Sequence, residues 1–130
     1  MSQDKVISEV IINLGRVLDE MAKTSKVDNV KGVAVAGCYT KAGGLHSRSM
    51  ECGTSFDENF NYIGVAYAKI AEMCNTFADS GLPGRKLLHG ELGYMGGAIR
   101  QVGELYYMAA FSGGTDEADM AISRCGLAII

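Results

Sequence analysis

Leu105-Tyr106-Tyr107-Met108-Ala109-Ala110-Phe111 is the stretch on which the fold turns. It holds no charge and no amide, and it is bounded by Gly103-Glu104 before and Ser112-Gly113-Gly114 after. A short, aromatic, uninterrupted apolar run between glycines reads as a strand rather than a helix. Successive strand residues point to opposite faces. Here both sets are apolar: Leu105, Tyr107, Ala109 and Phe111 on one side, Tyr106, Met108 and Ala110 on the other. A strand apolar on both faces is covered on both. The stretch therefore predicts an interior strand with helices above and below it.

Working outward, residues 30–37 form a second run of small and β-branched residues, apolar at both parities, and belong beside the first. Lys41-Ala42-Gly43-Gly44 is a turn and residues 45–50 a short polar edge strand, which sets Cys38 opposite His46. Residues 6–22 carry an i, i+3, i+4, i+7 apolar stripe and predict the first helix. Ser55 and Glu58 make a capping-box signature for a long second helix running to about Ser80, with Gly81 and Pro83 as its stop. Its stripe of Ile63, Ala66, Tyr67, Ile70, Cys74, Phe77 and Ala78 is widened by Tyr62, Ala68, Ala71 and Met73. A helix so broadly apolar is expected to touch its own sheet and something more. Residues 85–92 read as a third, edge strand and 96–100 as a fourth. Thr115 or Asp116 caps the last helix, whose stripe is Ala118, Ala121, Ile122, Cys125 and Ile129. Short hairpins make neighbouring strands antiparallel, and the strand order expected is 2-1-5-4-3.

The totals narrow the function classes. A chain of 130 residues, 48% hydrophobic and 21% charged, suits one domain, 1–130. A net charge of −3 gives no electrostatic footing for nucleic acid. No apolar run approaches a membrane span, and the opening Met-Ser-Gln-Asp-Lys has no signal-peptide core, so a cytoplasmic protein is expected. Cys38, Cys52, Cys74 and Cys125 are spread without a C-x-x-C pair and are expected as free thiols.

Residues with chemical potential do not converge in the sequence. His46 and His89 could each ligate haem or a metal, with Arg100 a further candidate for a small-ligand site. The plainer reading is a half-exposed strand histidine, since nothing with metal-ligand spacing accompanies either. A Cys38–His46 pair would need a third orienting group and an oxyanion site to act as a nucleophile. Ser112-Gly113-Gly114 before a helix could hold an anion on free amides, as nearly any such turn could. Asp57, Glu58, Asp116 and Glu117 look like helix-start acids. Tyr62, Tyr67, Tyr94, Tyr106 and Tyr107 read as core or interface rather than a cofactor box. No enzyme activity, metal or cofactor is expected on these grounds.

The pattern resembles the roadblock family, the dynein light-chain type domains. The resemblance rests on residues 30–37 followed by Gly44-Leu45-His46-Ser47, on the long helix over 60–78, and on strands through Gly93-Tyr94, Ala98-Ile99-Arg100 and 105–111. It implies an α/β (α+β) profilin-like fold, with helices one and three on one face of a five-stranded antiparallel sheet and helix two on the other. It also implies a non-enzymatic homodimeric interaction module, a scaffold or regulator of a small Ras-like GTPase or a motor or signalling complex. Pairing of the third strand with its twin would place Tyr62, Ala66, Met73, Lys86, Leu88 and Gly90 at the dimer interface. A second resemblance, to the end of the bacterial haem-binding glycolate-cluster family, rests on Gly97-Ala98-Ile99, Gly103-Glu104 and Phe111-Ser112-Gly113-Gly114 with Asp116-Glu117, Ala121 and Gly126-Leu127-Ala128. It implies a haem or small-ligand binder of the same fold class, through His89, His46 or Arg100.

Overall fold

The computed structural model describes residues 3–53 and 57–130. The chain runs α1 (Gln3–Val27), β1 (Gly32–Thr40), β2 (Gly44–Cys52), α2 (Tyr62–Thr76), β3 (Gly97–Val102), β4 (Leu105–Ser112) and α3 (Asp116–Leu127). The four strands form one antiparallel sheet in the order β2-β1-β4-β3. The two strands that are apolar on both faces, β1 and β4, are the inner pair, as their composition demands.

The sheet is covered on both sides. Val10, Leu14, Val17, Leu18 and Met21 of α1, with Met120, Ile122 and Leu127 of α3, pack on Ala34, Ala36, Cys38, Tyr107, Ala109 and Phe111. On the opposite face Ala66, Ile70 and Met73 of α2 pack on Val33, Val35, Met108 and Ala110. Each large apolar side chain fully buried this way contributes about 1.5–3 kcal/mol. The architecture is α+β, with α1 and α3 on one face and α2 on the other.

The expected fifth strand is absent, and its absence has a local cause. A strand over residues 85–92 would have to pair with the outer edge of β3. That edge is already taken. The N–H of Gly97 donates to Ser80 Oγ at 2.8 Å, and the N–H of Ile99 donates to Asp79 Oδ1 at 3.0 Å. Ser80 N in turn donates to the Gly97 carbonyl. Residues 85–92 instead curl on themselves. Glu91 accepts from Arg85 Nη2 at 2.9 Å and from the Leu88 N–H at 2.6 Å, and Gly90 and Gly93 sit at positive φ. The order 2-1-5-4-3 is therefore corrected to 2-1-4-3.

Ser80 is 3% exposed, so Ser80→Ala strands a buried amide donor. A loss of about 1–3 kcal/mol is expected, measured as a shift of the urea midpoint at unchanged slope.

The second helix is shorter than its apolar pattern. The Ser55 half of the capping box lies outside the described residues. The N-cap is Asn61, whose side chain accepts from Gly64 N. The helix ends at Thr76 because Phe77 turns left-handed, with φ 53°. Gly81, expected as the stop, lies beyond that end and donates its N–H to Glu72 Oε2. The last helix is capped by Thr115, as expected. The four cysteines are free, Cys38 and Cys52 among them buried. Among the described residues no helix is long and apolar enough to cross a membrane.

Candidate functional site

The residues singled out by sequence occupy three regions. His46 pairs with Cys38, Cys38 with Tyr107, and Tyr107 with Arg100. The four make one row across the sheet, on the side covered by α1 and α3. Three strand spacings separate the backbones at the ends of that row by about 14 Å. Arg100 Nη1 donates to the Leu127 carbonyl at 3.4 Å, where a cation suits the negative end of α3. Between them, burial pushes the Cys38 thiol up to about 11, and Tyr107 Oη accepts from Asn13 Nδ2 at 3.0 Å. A thiol held protonated is no nucleophile. His89 stands apart, exposed in the connection between α2 and β3.

The expected dimer face does not hold together. Ala66 and Met73 are fully buried against the sheet. Tyr62 turns to Asp57, donating its hydroxyl proton to Oδ2 at 3.1 Å. Lys86, Leu88 and Gly90 are exposed, but in a loop and not on a strand edge.

His46 has an unusual environment. Its Nε2 is buried and has no hydrogen-bond partner among the described residues. Thr40 pairs with Gly44, one alternate pair along from Cys38 and His46, about 6.8 Å along the strand and on the same face. Thr40 also lines a cavity of about 420 Å³ at the hairpin end of the sheet. Val6 and Ile7 of α1, Ala42 of the β1–β2 turn, and Leu105 and Tyr106 of β4 line its apolar side, and Lys41, Gln101 and Glu104 its polar side. The turn is pinned by the Gly43 N–H, which donates to Thr40 Oγ1 at 2.9 Å.

A second site, not foreseen from sequence, lies at the opposite end of the sheet. There β1 and α2 begin and β2 and β4 end. A cavity of about 810 Å³ is bounded by Val33, Met50, Tyr62 and Ile63 with Glu51, Asp57 and Glu58. An adjoining cavity of about 210 Å³ shares Phe60 and Tyr62 with it and reaches the start of α3. Its floor is a buried ion pair. Lys69 Nζ lies 3.2 Å from Asp119 Oδ2, with the two side chains 3% and 5% exposed. Nζ also donates to the Phe111 carbonyl at 2.6 Å, and Asp119 Oδ1 accepts from the Gly114 N–H at 2.9 Å. Burial pushes the Lys69 ammonium down and the Asp119 carboxyl up, and each charge partly restores the other. At the rim, backbone N–H donors from Asn59 and Phe60 hold Asp57 below the usual carboxylate range.

The sequence did contain a signal for this pair. Lys69 falls three residues after Ala66 and four before Met73, on the buried face of α2. Asp119 falls three before Ile122 on the buried face of α3. A charge on the buried face of each of two helices is the mark of a buried pair; the second buried charge of α2, Glu72, accepts instead from the Gly81 N–H. Among the described residues no cluster of three or more His, Cys, Asp or Glu side chains could hold a metal ion.

Two solved structures share this architecture. One is the Klebsiella pneumoniae protein ORFY, of family model DUF336, at 18% identity and a TM-score of 0.65 over 90% of this chain and 86% of that one. The other is the PduOC:heme complex, at 17% identity and a TM-score of 0.64 over 91% of each chain. At such identities the likeness is one of fold. No family model matches the sequence, and no curated protein matches it. These neighbours, with the missing fifth strand, overturn the roadblock and dynein light-chain reading. The GTPase-regulating or motor scaffold built on that reading falls with it.

Proposed function

We propose that this protein is a non-enzymatic binder of a small ligand, with haem the first ligand to test. The observation that carries the reading is the buried Nε2 of His46, unpartnered among the described residues, one strand step from a cavity with an apolar side. A buried nitrogen without a partner is uncommon in a folded protein and calls for an explanation. Haem needs an axial donor and apolar cover for the macrocycle, and its propionates favour a cation. His46 would be the donor, Val6, Ile7 and Leu105 the cover, and Lys41 the cation. When bound, haem supplies a redox-active iron; the chain's own part is to hold it and shield one side. The fold likeness to PduOC, solved as a heme complex, supports this choice of ligand. The non-enzymatic reading is supported by the state of the reactive groups. Cys38 is held protonated, and Lys69 and Asp119 are committed to each other.

Haemin titrated into the purified protein is expected to give a saturable Soret band. His46→Ala should abolish that band and His89→Ala should leave it. Absence of a band in the unaltered protein, or its survival in His46→Ala, overturns the assignment.

The homodimer is retained as part of the proposal, through the exposed α2–β3 connection and not through a paired strand edge or α2. Leu82, Leu87, Leu88 and Leu92 are all between 42% and 52% exposed in the α2–β3 connection, and apolar surface of this kind favours association. Light scattering at micromolar concentration should give twice the chain mass, and Leu88→Asp should give the single-chain mass. A cytoplasmic location remains a proposal, supported by four thiols without a disulfide.

A further inference from the structure

The smaller cavity at the head of α2 has a chemistry the haem reading does not use. Three aromatic side chains from two segments line it: Phe60 and Tyr62, on either side of the Asn61 N-cap of α2, and Tyr94 before β3. Phe60 and Tyr62 stack with their planes 3° apart and centroids at 6.2 Å. Phe60 and Tyr94 are 53% and 46% exposed, so apolar rings stand open to whatever enters. Gly113 and Gly114, lacking Cβ atoms, leave the far wall as bare backbone. A volume of about 210 Å³ is that of roughly seven waters, enough for a compact headgroup.

Electrostatics decide the sign of that headgroup. The cation on the floor, Lys69, is cancelled by Asp119. The positive end of α3 is answered by Asp116, Glu117 and Asp119 in its first turn, and Asp116 lines the cavity itself. Asp57, which accepts from the Tyr62 hydroxyl, adds a further carboxylate in the adjoining larger cavity. An anion would meet carboxylates there. A neutral group would gain only contact. An organic cation gains both contact and the attraction of ring faces.

We propose that this aromatic cage binds a small organic cation, of the quaternary ammonium class, at a site separate from that of His46.

Choline is a suitable probe, with 3,3-dimethylbutan-1-ol as its neutral isostere and benzoate as an anion of similar size. Titrations followed by NMR on haem-free protein are expected to show saturable shifts for choline and affinity about tenfold weaker for the isostere. Phe60→Leu and Tyr94→Leu should each weaken choline binding by about tenfold while leaving the thermal midpoint near that of the unaltered protein. Equal affinity for the isostere, tighter binding of benzoate, no saturable shift with choline, or leucine variants that bind as well as the original would each overturn the proposal. His46→Ala should bind choline normally, so failure of the haem site and failure of the cage are separately visible.

Discussion

Replacing Lys69 by methionine is expected to cost about 3–5 kcal/mol of stability, the range for removing one partner of a buried pair. The loss is not mainly that of a salt bridge. Methionine fills much the same space, but it leaves the Asp119 carboxylate 4% exposed with the Gly114 N–H as its remaining hydrogen-bond donor among the described residues. The pH dependence follows from the direction of the shift. Burial already holds the Asp119 carboxyl above its ordinary range, and Lys69 is the chief force pulling it back. Without Lys69 the folded-state pKa rises further. A group with folded pKa above its unfolded value adds stability in acid and loses it as pH rises through the folded pKa. The deficit of Lys69→Met should therefore be smallest near the ordinary carboxylate range and grow toward neutral pH. Adding Asp119→Asn removes the stranded charge and keeps an acceptor for Gly114. The double variant should recover half or more of the loss and flatten its pH dependence. Urea unfolding at a series of pH values measures all of this. A single-variant cost under about 1 kcal/mol would match an exposed pair and would mean that water reaches the floor of the cleft.

The stake in that measurement is functional as well as energetic. The pair ties α2 to the end of β4 and the start of α3, which wall the cage together with the segments that carry Phe60 and Tyr94. A floor that is charged but internally neutral lets the rim carboxylates set the sign of the ligand. Were Lys69 free, the same cavity would favour an anion, as the Ser112-Gly113-Gly114 turn suggests when read alone.

What could be read from sequence, and what could not, divides along local and non-local lines. Residues 105–111 carried their own answer, because a run apolar at both parities can only be interior. The Cys38–His46 pairing followed from one turn and one count along two strands. Residues 85–92 misled because strand propensity says nothing about whether an edge is free. The edge of β3 was closed by Asp79 and Ser80, side chains acting across some 20 residues. The end of α2 was hidden by Phe77, an apolar residue in a conformation usually left to glycine. Its neighbours explain the choice: the Phe77 ring packs on Tyr106 at 4.7 Å and on Tyr39 at 5.9 Å between centroids. The roadblock reading failed for a related reason, while the second resemblance agrees with the solved structures of similar fold. Folds that cover an antiparallel sheet with helices on both faces share hydrophobic spacing, and what separates the expected fold from the observed one is the course of the chain between α2 and β3, where spacing is least informative.

Gly32→Ala is expected to lower stability by about 3 kcal/mol or more, beyond the usual range for an exposed site. Gly32 opens β1, and a Cβ there would overlap the Ser112 carbonyl oxygen and come within 3.0 Å of Gly113 Cα. These are backbone atoms, which cannot swing aside as a side chain can. Gly113 presses back from the other strand: at φ 140°, a Cβ on it would overlap the Lys31 carbonyl oxygen. Two glycines thus let β1 and the end of β4 approach closely where Val33 pairs with Ser112. Forcing them apart moves the turn that carries the Gly114 N–H to Asp119, so the floor of the cleft shifts along with the sheet. Gly44→Ala separates this crowding from simple backbone strain. Gly44 also sits at positive φ, 74°, but a Cβ there meets nothing within 4 Å. Its cost should be only the left-handed penalty, about 1–2 kcal/mol. Urea unfolding of the two variants side by side tests the contrast. The choline titration should show Gly32→Ala weakened and Gly44→Ala unchanged. A Gly32→Ala protein as stable as Gly44→Ala would mean that the two strands do not meet this closely and that the cage is looser than its walls imply.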